Sequence, residues 1–275
     1  MFFINVQKWW QTIKIWWGQQ TAYRLNFFLQ VIGPPIVFFC VKASLWKAIF
    51  NGIANQKGLD ISSTVINGMT LDQMISYHAW AMIVGFLSQG MGSFDLSNDI
   101  RLGKISTYLI YPFNFWEYHT AGFLAFQTLQ IPTTLLSLLV FSSLKIIALP
   151  AISNFILAIL VCFVISLFWF SLQYFIGLLA FWLEETWIMR VMINIVTTFL
   201  SGAIIPVSFF PEQLQQMLVW SPFPYMIYWP TKIFLGQTES ILFGVSILIF
   251  WTLIMGFINT TLWKRGLRLY TAAGM

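Results

Sequence analysis

Polar residues in this chain fall in short islands between long apolar runs, and the spacing of the islands predicts the elements. A membrane-spanning helix needs about 20 mostly apolar residues. Residues 26–46, 73–93, 120–141, 187–205 and 241–262 each meet that description, and a further span lies within 151–182. The "GPP" at Gly33, Pro34 and Pro35 bends or breaks the first, and Pro132 falls inside the third. The 151–182 run is too long for one upright span and too short for two with a turn. It predicts a tilted helix with an interfacial extension. The pattern therefore predicts an all-α integral membrane protein with six transmembrane helices.

Two regions break this rhythm. Residues 1–24 carry Trp9, Ile13, Trp16 and Trp17 at helical spacing, interrupted by Gln7, Lys8, Gln11 and Lys14. Tryptophan favours the headgroup level, so this stretch predicts an amphipathic helix lying in the interface. It lacks the apolar core and small-residue cleavage site of a signal peptide. The second region, 206–238, is apolar yet holds Pro206, Pro211, Pro222, Pro224 and Pro230, half of the chain's prolines. Proline cannot continue a regular helix, so short helical pieces separated by turns are expected. Their apolar character predicts a re-entrant segment dipping into the outer half of the membrane, where protein must cover it. Residues 25–275 form the six-helix transmembrane domain, with 94–119 as its largest loop on the side of the termini.

Composition sharpens this picture. Only 8% of the 275 residues are charged and 59% are hydrophobic, against about 25% charged in soluble domains. The net charge of +5 reports orientation rather than nucleic-acid binding, because the basic residues are scattered. With cytoplasmic termini, nine of the 14 basic residues lie inside (Lys8, Lys14, Arg24, Arg101, Lys104, Arg190, Lys264, Arg265 and Arg268). Lys42, Lys47, Lys57, Lys145 and Lys232 are left outside, Lys42 near an outer helix end where it can snorkel.

Catalytic signals are scarce. No phosphate loop, H-E-x-x-H or G-x-S-x-G is present, and nothing has metal-ligand spacing. Cys40 and Cys162 both fall in apolar segments and read as small hydrophobes. His78, within the second span, is a functional hypothesis set against a packing histidine. His119 falls at a membrane boundary. Glu184 and Glu185 read as a solvated helix end or a partner of Arg190. Small residues four apart in the second span (Ala81 with Gly85, Ser88 with Gly92) permit close helix approach. Gln127, Gln130, Asn154, Gln173 and Asn194 line a substrate pathway or act as interhelical glue.

The polar island "NDIRLGKISTYLIYPFNFWEYH" (98–119) interleaves Asp99, Arg101 and Lys104 with Leu102, Ile105, Tyr108 and Leu109. Charges around an apolar centre suit a docking interface better than a solvated loop. "IRLGKISTYLIYPFNFW" and "SGAIIPVSFFP" followed by "SPFPYMIYWPTKIFLG", in this order, resemble the permeases of ABC-2 type ABC exporters, and the resemblance covers essentially the whole chain. It implies half of a transmembrane dimer in the bacterial inner membrane, formed with a second copy or a related permease and surrounded by lipids. It also implies separate ABC ATPase subunits, with ATP and Mg in those chains and no cofactor or catalytic residue in this one. The 94–119 loop becomes the coupling element, with Asp99, Arg101, Leu102, Gly103, Lys104, Ile105 and Tyr108 at the ATPase. An aromatic, nearly uncharged interior favours amphipathic, lipid-like or drug-like cargo. The competing readings are an intramembrane lipid-modifying enzyme using His78 or Glu184 and Glu185, and a non-catalytic assembly scaffold. A secondary transporter fits less well, because charges deep in the spans are nearly missing.

Overall fold

A computed structural model describes residues 6–22, 33–90, 93–110, 114–237 and 240–270. The described chain is helical, apart from one isolated antiparallel bridge between Ile66 and Met69. Four helices are long and apolar enough to cross a membrane: α2 (Gly33–Lys57), α6 (Phe115–Ser143), α7 (Ile152–Leu178) and α11 (Ile241–Leu269). The protein is thus a multi-pass α-helical membrane protein with four to five apolar helices.

The other two apolar stretches form a more polar helix and a shorter one. α3 (Leu71–Ser88) is 18 residues long but carries Asp72, Gln73, Tyr77 and His78 in its first half. α8 (Trp187–Leu200) has 14 residues, about 21 Å of helix against a hydrocarbon core of about 30 Å. The expected first span runs 11 residues beyond its predicted end, to Lys57. Its predicted beginning lies partly outside the described residues. Pro34 and Pro35 are the second and third residues of the described part of α2.

α3 is the hub. It packs against α2, α6, α7 and α10 (Tyr228–Phe234), and 11 of its residues are buried. Its start is fixed by a capping box: Thr70 Oγ1 accepts from the Gln73 amide and Gln73 Oε1 accepts from the Thr70 amide. Small residues here do not all bring helices together. A Cβ on Gly85 meets nothing within 4 Å, because that face of α3 borders open space. The close approach lies on α7, where a Cβ on Gly177 collides with Leu96 of α4 (Ser93–Arg101). α7 also takes the long contact with α11 and, through Phe155 and Phe234, with α10.

α1 (Val6–Thr21) runs side by side with the first half of α6. Lys8 Nζ lies 2.9 Å from Glu117 Oε2, and Trp17 Nε1 donates to Thr128 Oγ1 and the Ala125 carbonyl. α6 spans 29 residues, about 43 Å, so several turns extend past a 30 Å core.

The proline-rich stretch does break into pieces. After α8 come 3₁₀ turns at Val207–Phe209 and Phe223–Tyr225, separated by α9 (Glu212–Leu218), and then α10. α10 returns into the bundle core: Phe234 stacks on Trp80 of α3 at 4.4 Å, with the rings within 7° of parallel.

Candidate functional site

Two places concentrate polar chemistry: the hairpin after α3 and a cavity beside α3. The hairpin consists of α4, the turn Leu102–Lys104 and α5 (Ile105–Ile110). It therefore replaces most of the anticipated 94–119 loop with two helices. Residues 115–119 are instead the first turn of α6, where Asn114 and Glu117 make a reciprocal capping box.

The seven residues expected at the coupling surface divide into two groups. Asp99 is buried and organises the hairpin from beneath. Tyr108 Oη donates to its Oδ2 at 2.8 Å, Lys104 Nζ lies 3.1 Å from Oδ1, and His119 Nε2 is 3.6 Å from Oδ2. Ile105 is fully buried and Tyr108 half-buried. Gly103 turns the chain at φ +72°, a conformation glycine adopts freely. Its carbonyl accepts from Tyr270 Oη at 2.6 Å, which ties the turn to the end of α11. Arg101, Leu102 and Lys104 face outward, with Leu102 67% exposed. Arg101 Nη1 lies 3.1 Å from Glu185 Oε1, so the connection between α7 and α8 meets the hairpin.

His119, given no role by the sequence, is buried among the rings of Trp16, Tyr108, Phe115 and Tyr118, next to Asp99. Its place in "FWEYH" follows from helical spacing: Phe115 is one turn earlier on α6. Its contact with Asp99 crosses from one helix to another, which no local pattern reveals.

The cavity, about 560 Å³, lies between α2, α3, α6 and the turn after α8. Aromatic and apolar groups form most of its wall, including Phe38, Phe39, Met82, Phe86, Phe126 and Trp169. Lys42, His78 and Gln130 supply its polar groups. Lys42 is not turned outward as a snorkelling residue; its Nζ donates to the Ala203 carbonyl at 2.7 Å. Tyr77 Oη donates to the Gly202 carbonyl and the Tyr228 amide to that of Ser201. Three elements thus satisfy three successive carbonyls at the end of α8, groups the helix itself leaves unpaired. His78 is buried against the Trp46 ring with neither ring nitrogen hydrogen-bonded.

Of the five expected pathway residues, Gln130 reaches this cavity, with Oε1 accepting from Thr133. Gln127, Asn154, Gln173 and Asn194 do not line it. Gln173 is buried within α7, and Asn154 lies beside Gly236 at the start of that helix. A second cavity of about 720 Å³, between α6, α7 and α11, is walled by Trp116, Phe170, Tyr174 and Trp263 and holds no charged side chain.

Helices of membrane-spanning length, an apolar cavity beside α3 and a polar hairpin at one end define a polytopic membrane protein with no metal-ligating cluster among its described residues. The chain belongs to the ABC-2 family of transporter proteins, whose model, "ABC-2 family transporter protein", matches residues 59–274. It is accordingly a transport subunit, a permease, and not an enzyme. No curated protein shows significant similarity to it.

Proposed function

We propose that this chain is the transmembrane subunit of an ATP-driven exporter that moves amphipathic, lipid-like or drug-like molecules, and that separate ATPase subunits drive it through the α4–α5 hairpin. α3 and α8 complete six crossings, with both termini on the cytoplasmic side of a bacterial inner membrane. α1 lies at the inner headgroup level beside the overhanging first turns of α6. The 206–238 segment re-enters the outer half, supported by the burial of α10 against α3 and α7. ATP and Mg²⁺ bind in the partner chain, and a second permease completes the dimer.

One observation carries the coupling assignment. Leu102 stands exposed between Arg101 and Lys104 at the tip of a hairpin whose underside is fixed by buried Asp99 and by Tyr270. A desolvatable apolar residue with a charged rim is the anatomy of a protein interface. A hairpin bonded to the end of α11 and to the α7–α8 connection, and packed on His119 of α6, moves as one lever with them.

The test is gentle purification from native membranes followed by mass spectrometry. Equal recovery of a phosphate-loop ATPase supports the reading, and Leu102→Asp should lower that recovery about tenfold. Recovery of the chain alone, from a preparation in which a control complex stays intact, favours the scaffold reading.

A further inference from the structure

We propose that the cavity beside α3 binds an anionic amphiphile, with a phosphate or carboxylate head at Lys42 and His78 and an apolar tail in the crevice behind Phe39 and Met82. The inference deepens the transport reading and rests on it for the fate of the ligand, but the binding itself needs no partner chain.

Charge is the first argument. A lysine inside a membrane helix is costly unless something answers it. The lining residues include no Asp or Glu, and among the described residues Lys42 joins no ion pair. Its bond to Ala203 uses one of three donors. The negative end of the α8 dipole favours a cation at that point, which accounts for the bond and leaves two N–H groups for an anion.

His78 is the second argument. It borders the same cavity, is 3% exposed and has both ring nitrogens unpaired. A buried polar group without a partner costs about 1–3 kcal/mol, and an anionic oxygen accepting from the ring's N–H offsets the donor's share of that cost. Helix capping explains Lys42 alone and leaves His78 unexplained.

Shape is the third. A narrower crevice of about 240 Å³ adjoins the cavity, sharing Phe39, Met82 and Phe86 with it. It continues between α2 and α6 along Ile36, Leu136, Val140 and Leu144, with almost no polar wall. A polar head site opening into an apolar slot matches a molecule with one charged end and one hydrocarbon tail. Pure hydrocarbon leaves Lys42 unanswered, and a free anion leaves the slot unused.

Binding can be read on the full chain in phosphatidylcholine nanodiscs, with ³²P-labelled dodecyl phosphate as the probe and empty nanodiscs as the blank. Saturable binding is expected, displaced by unlabelled dodecyl phosphate but not by dodecyl maltoside, dodecyltrimethylammonium or inorganic phosphate. Lys42→Gln should weaken it about tenfold, the loss of one charged hydrogen bond, and Lys42→Arg should keep it. Gly85→Leu tests the space without touching Lys42, because a side chain there enters the open cavity. It should abolish saturable binding with Tm unchanged or raised. Wild-type binding in both Lys42→Gln and Gly85→Leu overturns the proposal, as does equal displacement by the neutral or cationic detergent. Displacement by inorganic phosphate at the same concentration makes it a free-anion site and overturns the amphiphile assignment. ATPase recovery from the same membranes separates the two failures: with the ATPase present and no dodecyl phosphate bound, only the cargo chemistry falls.

Discussion

Asp99 is buried beneath the α4–α5 hairpin, bonded to Lys104 and Tyr108 and lying against His119. The exposed contacts are left to Arg101, Leu102 and Lys104. Asp99→Asn should therefore act on the hairpin rather than on a partner surface. Weakening the charge-assisted bonds costs about 2 kcal/mol locally, read as faster amide hydrogen exchange over 97–108 with the rest of the bundle unchanged. Arg101→Ala should leave that exchange unaltered, because its pair with Glu185 is exposed on both sides and worth at most about 1 kcal/mol. The polar island itself was legible from charge spacing. Which of its members point inward was not, since that depends on α6 and α11 arriving from elsewhere in the chain.

At the scale of elements, apolar length identified α2, α6, α7 and α11, where one long run makes one helix. At α3 and α8 apolar content and helix length part company, because α3 has a polar first half and α8 has only 14 residues. The proline-rich segment was legible as broken helix because proline acts locally. Its anchoring was not, because Tyr77 and the carbonyl it holds on Gly202 are 125 residues apart. That bond and Gly202 itself fix the turn after α8. Gly202 has φ +83°, and a Cβ there comes within 2.9 Å of Tyr228 Cβ and 3.0 Å of Tyr77 Oη. Tyr77→Phe leaves the Gly202 carbonyl without its donor and should cost about 1–3 kcal/mol. Gly202→Ala adds left-handed backbone strain to a steric clash and should cost at least as much. Both predictions are checked by thermal unfolding of the detergent-solubilised chain, with Tyr77→Trp expected to fail more severely for lack of space.

For the whole molecule, the unequal packing of the two shorter apolar helices bears on how the proposed pair of permeases would meet. The small residues of α3 permit close helix approach, but α3 is enclosed by α2, α6, α7 and α10 of its own chain. α8 is the opposite case. It contacts its own chain sparsely, through α7 and the 223–225 turn, and Thr197 is its one buried residue. Met192, Ile195 and Val196 are exposed. A helix of about 21 Å is too short to match the core unaided. A second α8 across a two-fold axis covers the apolar side chains and relieves the mismatch, since an isologous contact brings each helix against its own copy. Cysteine at Ile195, in a chain carrying Cys40→Ser and Cys162→Ser, should then cross-link between copies in native membranes. Cysteine at Leu160, exposed on α7, should not. Cross-linking at Leu160 with none at Ile195 would place the dimer face on α7 and leave the exposed side of α8 to lipid.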